Sequence, residues 1–124
     1  MGKRVPRTRA GKTWTESRFF GFIRSALRNA FNKYPPKYQV KKAAQRKKKG
    51  HKRYEYNCAD CKRWFPNSAI QVDHIEPAGS LKKFSDLPGF AERLFCEPDG
   101  LQVLCKGCHQ IKTNREREAR KKGD

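Results

Sequence analysis

Four of the five cysteines fall into two pairs, Cys58-Ala-Asp-Cys61 and Cys105-Lys-Gly-Cys108. A C-x-x-C turn lets two thiolates reach one tetrahedral Zn²⁺, and two such knuckles separated by 43 residues supply a complete four-sulfur cage. A redox dithiol is the competing account of each pair, but thiols kept reduced inside cells favour metal over disulfides. Cys96 has no such partner and reads as a small apolar residue. Three more donors stand near the knuckles in sequence: the adjacent Asp73 and His74, and His109 directly after Cys108.

Residues 54–115 resemble the HNH endonuclease family. The likeness is carried by Cys58-x-x-Cys61, then Val72-Asp73-His74-Ile75-Glu76-Pro77, then Leu101-Gln102-Val103-Leu104-Cys105-x-x-Cys108-His109-x-x-Lys112-Thr113. The whole chain is also similar to small HNH proteins encoded by tailed bacteriophages. The resemblance implies an α+β fold with a ββα-metal core of the HNH, or His-Me finger, type. In that fold a hairpin and a helix hold one catalytic cation, while a separate structural Zn²⁺ on Cys58, Cys61, Cys105 and Cys108 fastens the hairpin to the helix. It further implies that Asp73 and His109 bind the catalytic ion, that His74 is the general base, and that the products carry 5′-phosphate and 3′-hydroxyl ends.

The residue types suit those roles. A carboxylate such as Asp73 is a hard donor for Mg²⁺ or Mn²⁺, and an imidazole such as His109 also accepts Ni²⁺ or Zn²⁺. Two protein ligands leave coordination positions open for the scissile phosphate, the leaving 3′ oxygen and water. Histidine is the side chain whose ordinary titration lies nearest physiological pH, so His74 can take a proton from attacking water. Neighbouring strand residues point to opposite faces, so Asp73 and His74 can serve one site only at a twisting strand end. The competing accounts are a backbone-bonded core histidine for His74 and a zinc ligand for His109. The sequence departs from the family at Pro98-Asp99-Gly100-Leu101, where Gly100 stands at the place of the usual Asn; Asp99 either substitutes for it or forms a plain Asp-Gly turn. Glu76 reads as a solvated carboxylate.

The elements that must hold these residues are only partly periodic. Residues 1–12 mix Gly, Pro and dense positive charge and read as a disordered arm. Thr13-Trp14-Thr15-Glu16 fits a capping box, and a helix is expected from about Thr15 to Tyr34, ended by Pro35-Pro36. Its apolar face is Phe19, Ile23, Leu27, Ala30, Phe31 and Tyr34, with Arg18, Arg24 and Arg28 opposite, placed to follow a phosphate backbone. Residues 37–53, including Lys47, Lys48 and Lys49, form a self-repelling block expected to be a linker or an arm that orders on DNA. His51 within it is expected to be solvated. Strands are expected at 69–74 and 101–104, a short helix around Phe90 to Phe95, and a helix from His109 to Lys122.

The division expected is a basic arm, helix and linker over residues 1–53 and a nuclease domain over 54–124. Residues 1–53 hold 18 Lys or Arg against one acid, Glu16, and account for +17 of the net +18. Such segregated charge is the footprint of a polyanion binder, and DNA is the expected partner, with Lys112 as a further phosphate contact. With 35% hydrophobic and 34% charged residues the chain has no apolar run able to span a bilayer, and no membrane partner is expected. The opening Met1-Gly2-Lys3-Arg4 lacks an apolar signal segment, so an intracellular setting is expected, the host cytoplasm for a phage-encoded protein, with packaging or recombination proteins as candidate partners. The expected activity is metal-dependent endonucleolytic hydrolysis of DNA, by nicking or double-strand cutting. The alternative is a non-catalytic, zinc-stabilised nucleic-acid-binding protein.

Overall fold

Thr15 opens the first long helix, accepting a hydrogen bond on its hydroxyl from the Arg18 N–H at 3.2 Å. The cap is thus two residues later than the expected box: Thr13 instead donates to the Ala10 carbonyl at 2.7 Å, and Glu16 is held by Arg9 at 2.8 Å. In this computed structural model, which describes residues 4–47, 49–50 and 52–123, the chain order is β1 (Arg7–Arg9), β2 (Trp14–Thr15), α1 (Glu16–Phe31), α2 (Pro35–Ala44), β3 (Gln45–Lys47), β4 (Tyr54–Asn57), β5 (Trp64–Pro66), β6 (Ile70–His74), α3 (Leu87–Leu94), β7 (Leu101–Cys105) and α4 (Lys106–Gly123). The fold is mixed α+β, with small sheets and four helices among the described residues. No helix among them is long and apolar enough to cross a membrane.

The chain divides into two compact units, each discontinuous: residues 1–34 with 76–96, and residues 35–75 with 97–124. In the first, β1 and β2 pair as an antiparallel hairpin, so residues 7–9 are not the disordered arm expected of them. The turn is sharp, with Ala10, Gly11 and Lys12 all at positive φ. Helices α1 and α3 enclose a core of Phe20, Phe31, Ala78, Leu81, Phe90 and Leu94, all buried. Phe20, absent from the expected apolar face, is 2% exposed, whereas Ala30, assigned to it, lies exposed. Helix α1 stops at Phe31 and not Tyr34, whose hydroxyl donates to the Phe95 carbonyl at 2.8 Å.

In the second unit the basic block is not a linker. Pro35 and Pro36 begin α2, where a missing N–H costs nothing because first-turn donors lack helical partners anyway. Its successor β3 pairs with β4, and β4 with β5, in an antiparallel sheet that local pattern did not foretell. The self-repulsion is offset by aromatic rings: the Lys41 ammonium lies 5.5 Å from the Tyr56 ring centre, and the Arg46 guanidinium 3.9 Å from that of Trp64, with Glu55 3.3 Å away. Strands β6 and β7 form a separate hairpin, paired from Ile70 with Cys105 to His74 with Leu101, and α2 and α4 both pack on it. Ile70, Leu101, Val103 and Leu104 are its buried residues.

Candidate functional site

The sulfurs of Cys58, Cys61, Cys105 and Cys108 lie within 4.8 Å of one another, so the four cysteines could hold a structural metal such as zinc. Bonds of about 2.3 Å in a tetrahedron set sulfur separations near 3.8 Å, so a contraction of at most about one ångström closes the cage. Its turns are built for this. The Cys58 N–H donates to the Arg63 carbonyl at 2.9 Å and the Lys62 N–H to the Cys58 carbonyl at 3.0 Å, with Lys62 at a φ of 63° that lets the chain reverse. The Asn57 amide braces that residue by donating to its carbonyl at 2.8 Å. The second knuckle straddles the junction of β7 and α4, where the Cys108 N–H donates to Cys105 Sγ at 3.4 Å. The Ala59 N–H, donating to the Val103 carbonyl at 2.8 Å, ties the first knuckle to β7. Leu104, Phe65 and Ala59 pack around the sulfurs.

The cage's thiols share charge unevenly. Burial pushes the Cys58 thiol up, but hydrogen bonds with the Cys105, Cys61 and Asp60 backbones outweigh it and lower it to about 6. Cys108 is raised, chiefly by its hydrogen bond to Cys105, then by burial and by the neighbouring Cys58 and Cys61. A divalent ion on the four sulfurs would take the place of the protons that these thiols share through their hydrogen bonds. Cys96 belongs to the other unit, half-buried.

A second cluster lies on the opposite end of the β6–β7 hairpin from the second knuckle. Asp73 is 9% exposed and pairs across the hairpin with Gln102, whose amide donates to Asp73 Oδ2 at 3.0 Å. Helix α4 brings His109 Nε2 to 3.6 Å from Asp73 Oδ1, and Lys112 Nζ to 3.2 Å from Oδ2. That His109 spacing lets one cation with bonds of about 2.1 Å touch both donors. His74 is the last residue of β6, as the strand-end requirement demands, and its carbonyl accepts from Lys112 Nζ at 3.0 Å. Glu116, one helical turn beyond, accepts from the same ammonium at 2.8 Å. Burial pulls the Lys112 ammonium down, but the hydrogen bond to Glu116 and the charge of Asp73 more than offset it, and its pKa is raised above the usual 10.5.

Lys112, expected from sequence as a phosphate contact, is thus engaged by three oxygens of its own unit. Glu116 escaped the sequence reading; its i,i+4 spacing to Lys112 on a helix was the available signal. Asp99 is exposed on a short 3₁₀ turn, Pro98–Gly100, closed by the Gly100 N–H donating to the Glu97 carbonyl at 2.9 Å, which is the Asp-Gly turn reading. Glu76 is exposed. A cleft of about 320 Å³ beside the cluster is lined by Gln102, Lys112 and Arg115 together with Leu104, Ile111 and the first knuckle.

Of the expected DNA contacts, Arg18, Arg24 and Arg28 are all exposed on α1, but Arg28 is not cleanly opposite the apolar face, since its guanidinium lies 5.8 Å from the centre of the buried Phe90 ring. Lys47 and Lys49 are exposed; Lys48 and His51 lie outside the described residues. The chain matches no family model, and no curated protein or solved structure matches it either.

Proposed function

We propose that the second unit is an HNH-type, metal-dependent endonuclease acting on DNA. One observation carries the reading: a buried carboxylate, Asp73, faces His109 at 3.6 Å at the end of a hairpin that terminates in His74, apart from a four-cysteine cage that has no need of either residue. The Lys112 ammonium meets only Oδ2 of that carboxylate, so Oδ1 and the adjoining imidazole, which is not a structural ligand, form a natural donor pair for a metal ion.

Asp73 and His109 hold the ion, and Gln102 fixes the carboxylate by bonding the oxygen that faces away from His109. Mg²⁺ or Mn²⁺ bound there supplies charge stabilisation at the phosphate and the leaving oxygen. His74 accepts the proton of a water molecule as that oxygen forms its bond to phosphorus. The bond from phosphorus to the 3′ oxygen breaks, and that oxygen gains a proton from solvent, leaving 5′-phosphate and 3′-hydroxyl. Arg115, which lines the adjoining cleft, offsets the charge of the entering strand. The exposed arginines of α1 add affinity that does not depend on sequence.

The rival reading, a zinc-stabilised binder without chemistry, draws on the same cluster: Lys112 already neutralises Asp73, as a purely structural ion pair would. Plasmid DNA incubated with Mg²⁺, Mn²⁺ or EDTA separates the two. Metal-dependent conversion of supercoiled to nicked or linear DNA, absent in Asp73→Asn, supports the nuclease; retention of the supercoiled form in every metal leaves the binder.

A further inference from the structure

Phe22 is out of place on the surface of the first unit. It is 58% exposed on α1, although that helix already buries Phe20 and Phe31 in its own core. Its ring stands 5.2 Å from that of Trp14, and the Arg18 guanidinium lies 4.8 Å from the Trp14 ring centre. Arg18 precedes Phe22 by four residues and so shares its helix face. The segment that carries these rings is cationic: the single acid of residues 1–34, Glu16, is taken by Arg9 at 2.8 Å. No carboxylate in the segment is left over to compete for the other cations.

An exposed ring braced by a second ring and flanked by guanidinium has the chemistry of a nucleobase platform, in which the base stacks on the ring and cations hold its phosphates. Bases inside a duplex have both faces covered by their neighbours, so only an unpaired base can use such a ring. An anionic membrane fits less well, because the apolar side of α1 is spent on the core and one ring is too little to lie in a bilayer interface. We propose that Phe22, braced by Trp14 and flanked by Arg18, stacks an unpaired DNA base, so that single-stranded or branched DNA is the class of substrate brought to the nuclease. This deepens the nuclease reading and rests on it for the chemistry.

The test is fluorescence of Trp14 in the full-length Trp64→Phe protein, in buffer that leaves its zinc in place and contains no Mg²⁺ or Mn²⁺, so that no cleavage intrudes. The probes are a thymidine oligomer of about ten nucleotides, an abasic backbone with as many phosphates, and a duplex of similar charge. The thymidine oligomer should quench Trp14 and bind roughly 5- to 150-fold more tightly than the abasic backbone, the range that stacking of one base supports. Phe22→Ala should erase that difference and keep the thermal transition, since the ring is exposed, and Phe22→Trp should restore it in binding measured by anisotropy of a labelled oligomer. Equal binding of thymidine and abasic strands, tighter binding of duplex, or the same quenching by phosphatidylserine vesicles would overturn the proposal. Loss of the nuclease reading would leave this titration as described, and loss of the platform would leave plasmid nicking intact.

Discussion

Replacing Lys112 by Met removes the one ammonium that touches Asp73 Oδ2, the His74 carbonyl and Glu116 together. The side chains of Lys112 and Asp73 are 23% and 10% exposed, between the surface pairs worth about 0–1 kcal/mol and the buried pairs whose breakage costs about 3–5 kcal/mol. Gln102 still bonds Asp73 in the variant, so the loss expected in metal-free buffer is about 2 kcal/mol, equivalent to roughly 10 °C in the melting temperature of a unit this size. The folded ammonium titrates above its ordinary 10.5, so its contribution is complete below that value and is lost only as pH rises past the raised one. The penalty should thus be flat from about pH 7 to 9. The ammonium also competes with any divalent ion for Asp73. Lys112→Met should therefore bind Mn²⁺ more tightly than wild type and regain stability as Mn²⁺ is added. Calorimetric melting with and without Mn²⁺ checks both. An unchanged metal-free transition, together with Mn²⁺ affinity equal to or below wild type, would refute the competition between lysine and metal.

Two other perturbations address the rest of the molecule. Purified protein should carry one Zn²⁺ per chain, and stripping it or making Cys58→Ser should unfold the second unit, because apparent zinc-binding energies of about 10–16 kcal/mol match or exceed the whole stability of a small domain; an unchanged thermal transition in zinc-free protein would contradict this. Changing Arg18, Arg24 and Arg28 together to Gln should weaken DNA binding and flatten the slope of log affinity against log salt by up to about 2.7, near 0.9 for each phosphate that is no longer neutralised. That charge change is a cleaner probe than deleting residues 1–53, a cut that would also remove α2 and β3 from the unit holding the cysteines.

The parts of the fold that could be read along the chain are those fixed by local spacing. The two knuckles, the strand ending at His74, the strand beginning at Leu101 and the helix carrying His109 follow from neighbours a few residues apart. What escaped depends on partners distant in sequence. Residues 37–53 read as a repelling block until Tyr56 and Trp64 are seen beside Lys41 and Arg46. Phe20 shows no advantage over Phe19 in spacing, and is buried where residues 76–96 return with Phe84, whose ring centre lies 5.0 Å from its own. Within the site, Asp73, His74 and His109 were legible as donors. The hold of Lys112 on Asp73 was not, since a lysine in a run of helical charges carries no mark of the carboxylate it will meet.

The central claim is most directly tested by His74→Ala, assayed for plasmid nicking while Mn²⁺ is titrated into it calorimetrically. A general base acts on water and need not touch the ion, so nicking should fall by about 100-fold or more while Mn²⁺ affinity stays near wild type, in contrast to Asp73→Asn, which should lose both. Nicking at the wild-type rate by His74→Ala would contradict the account.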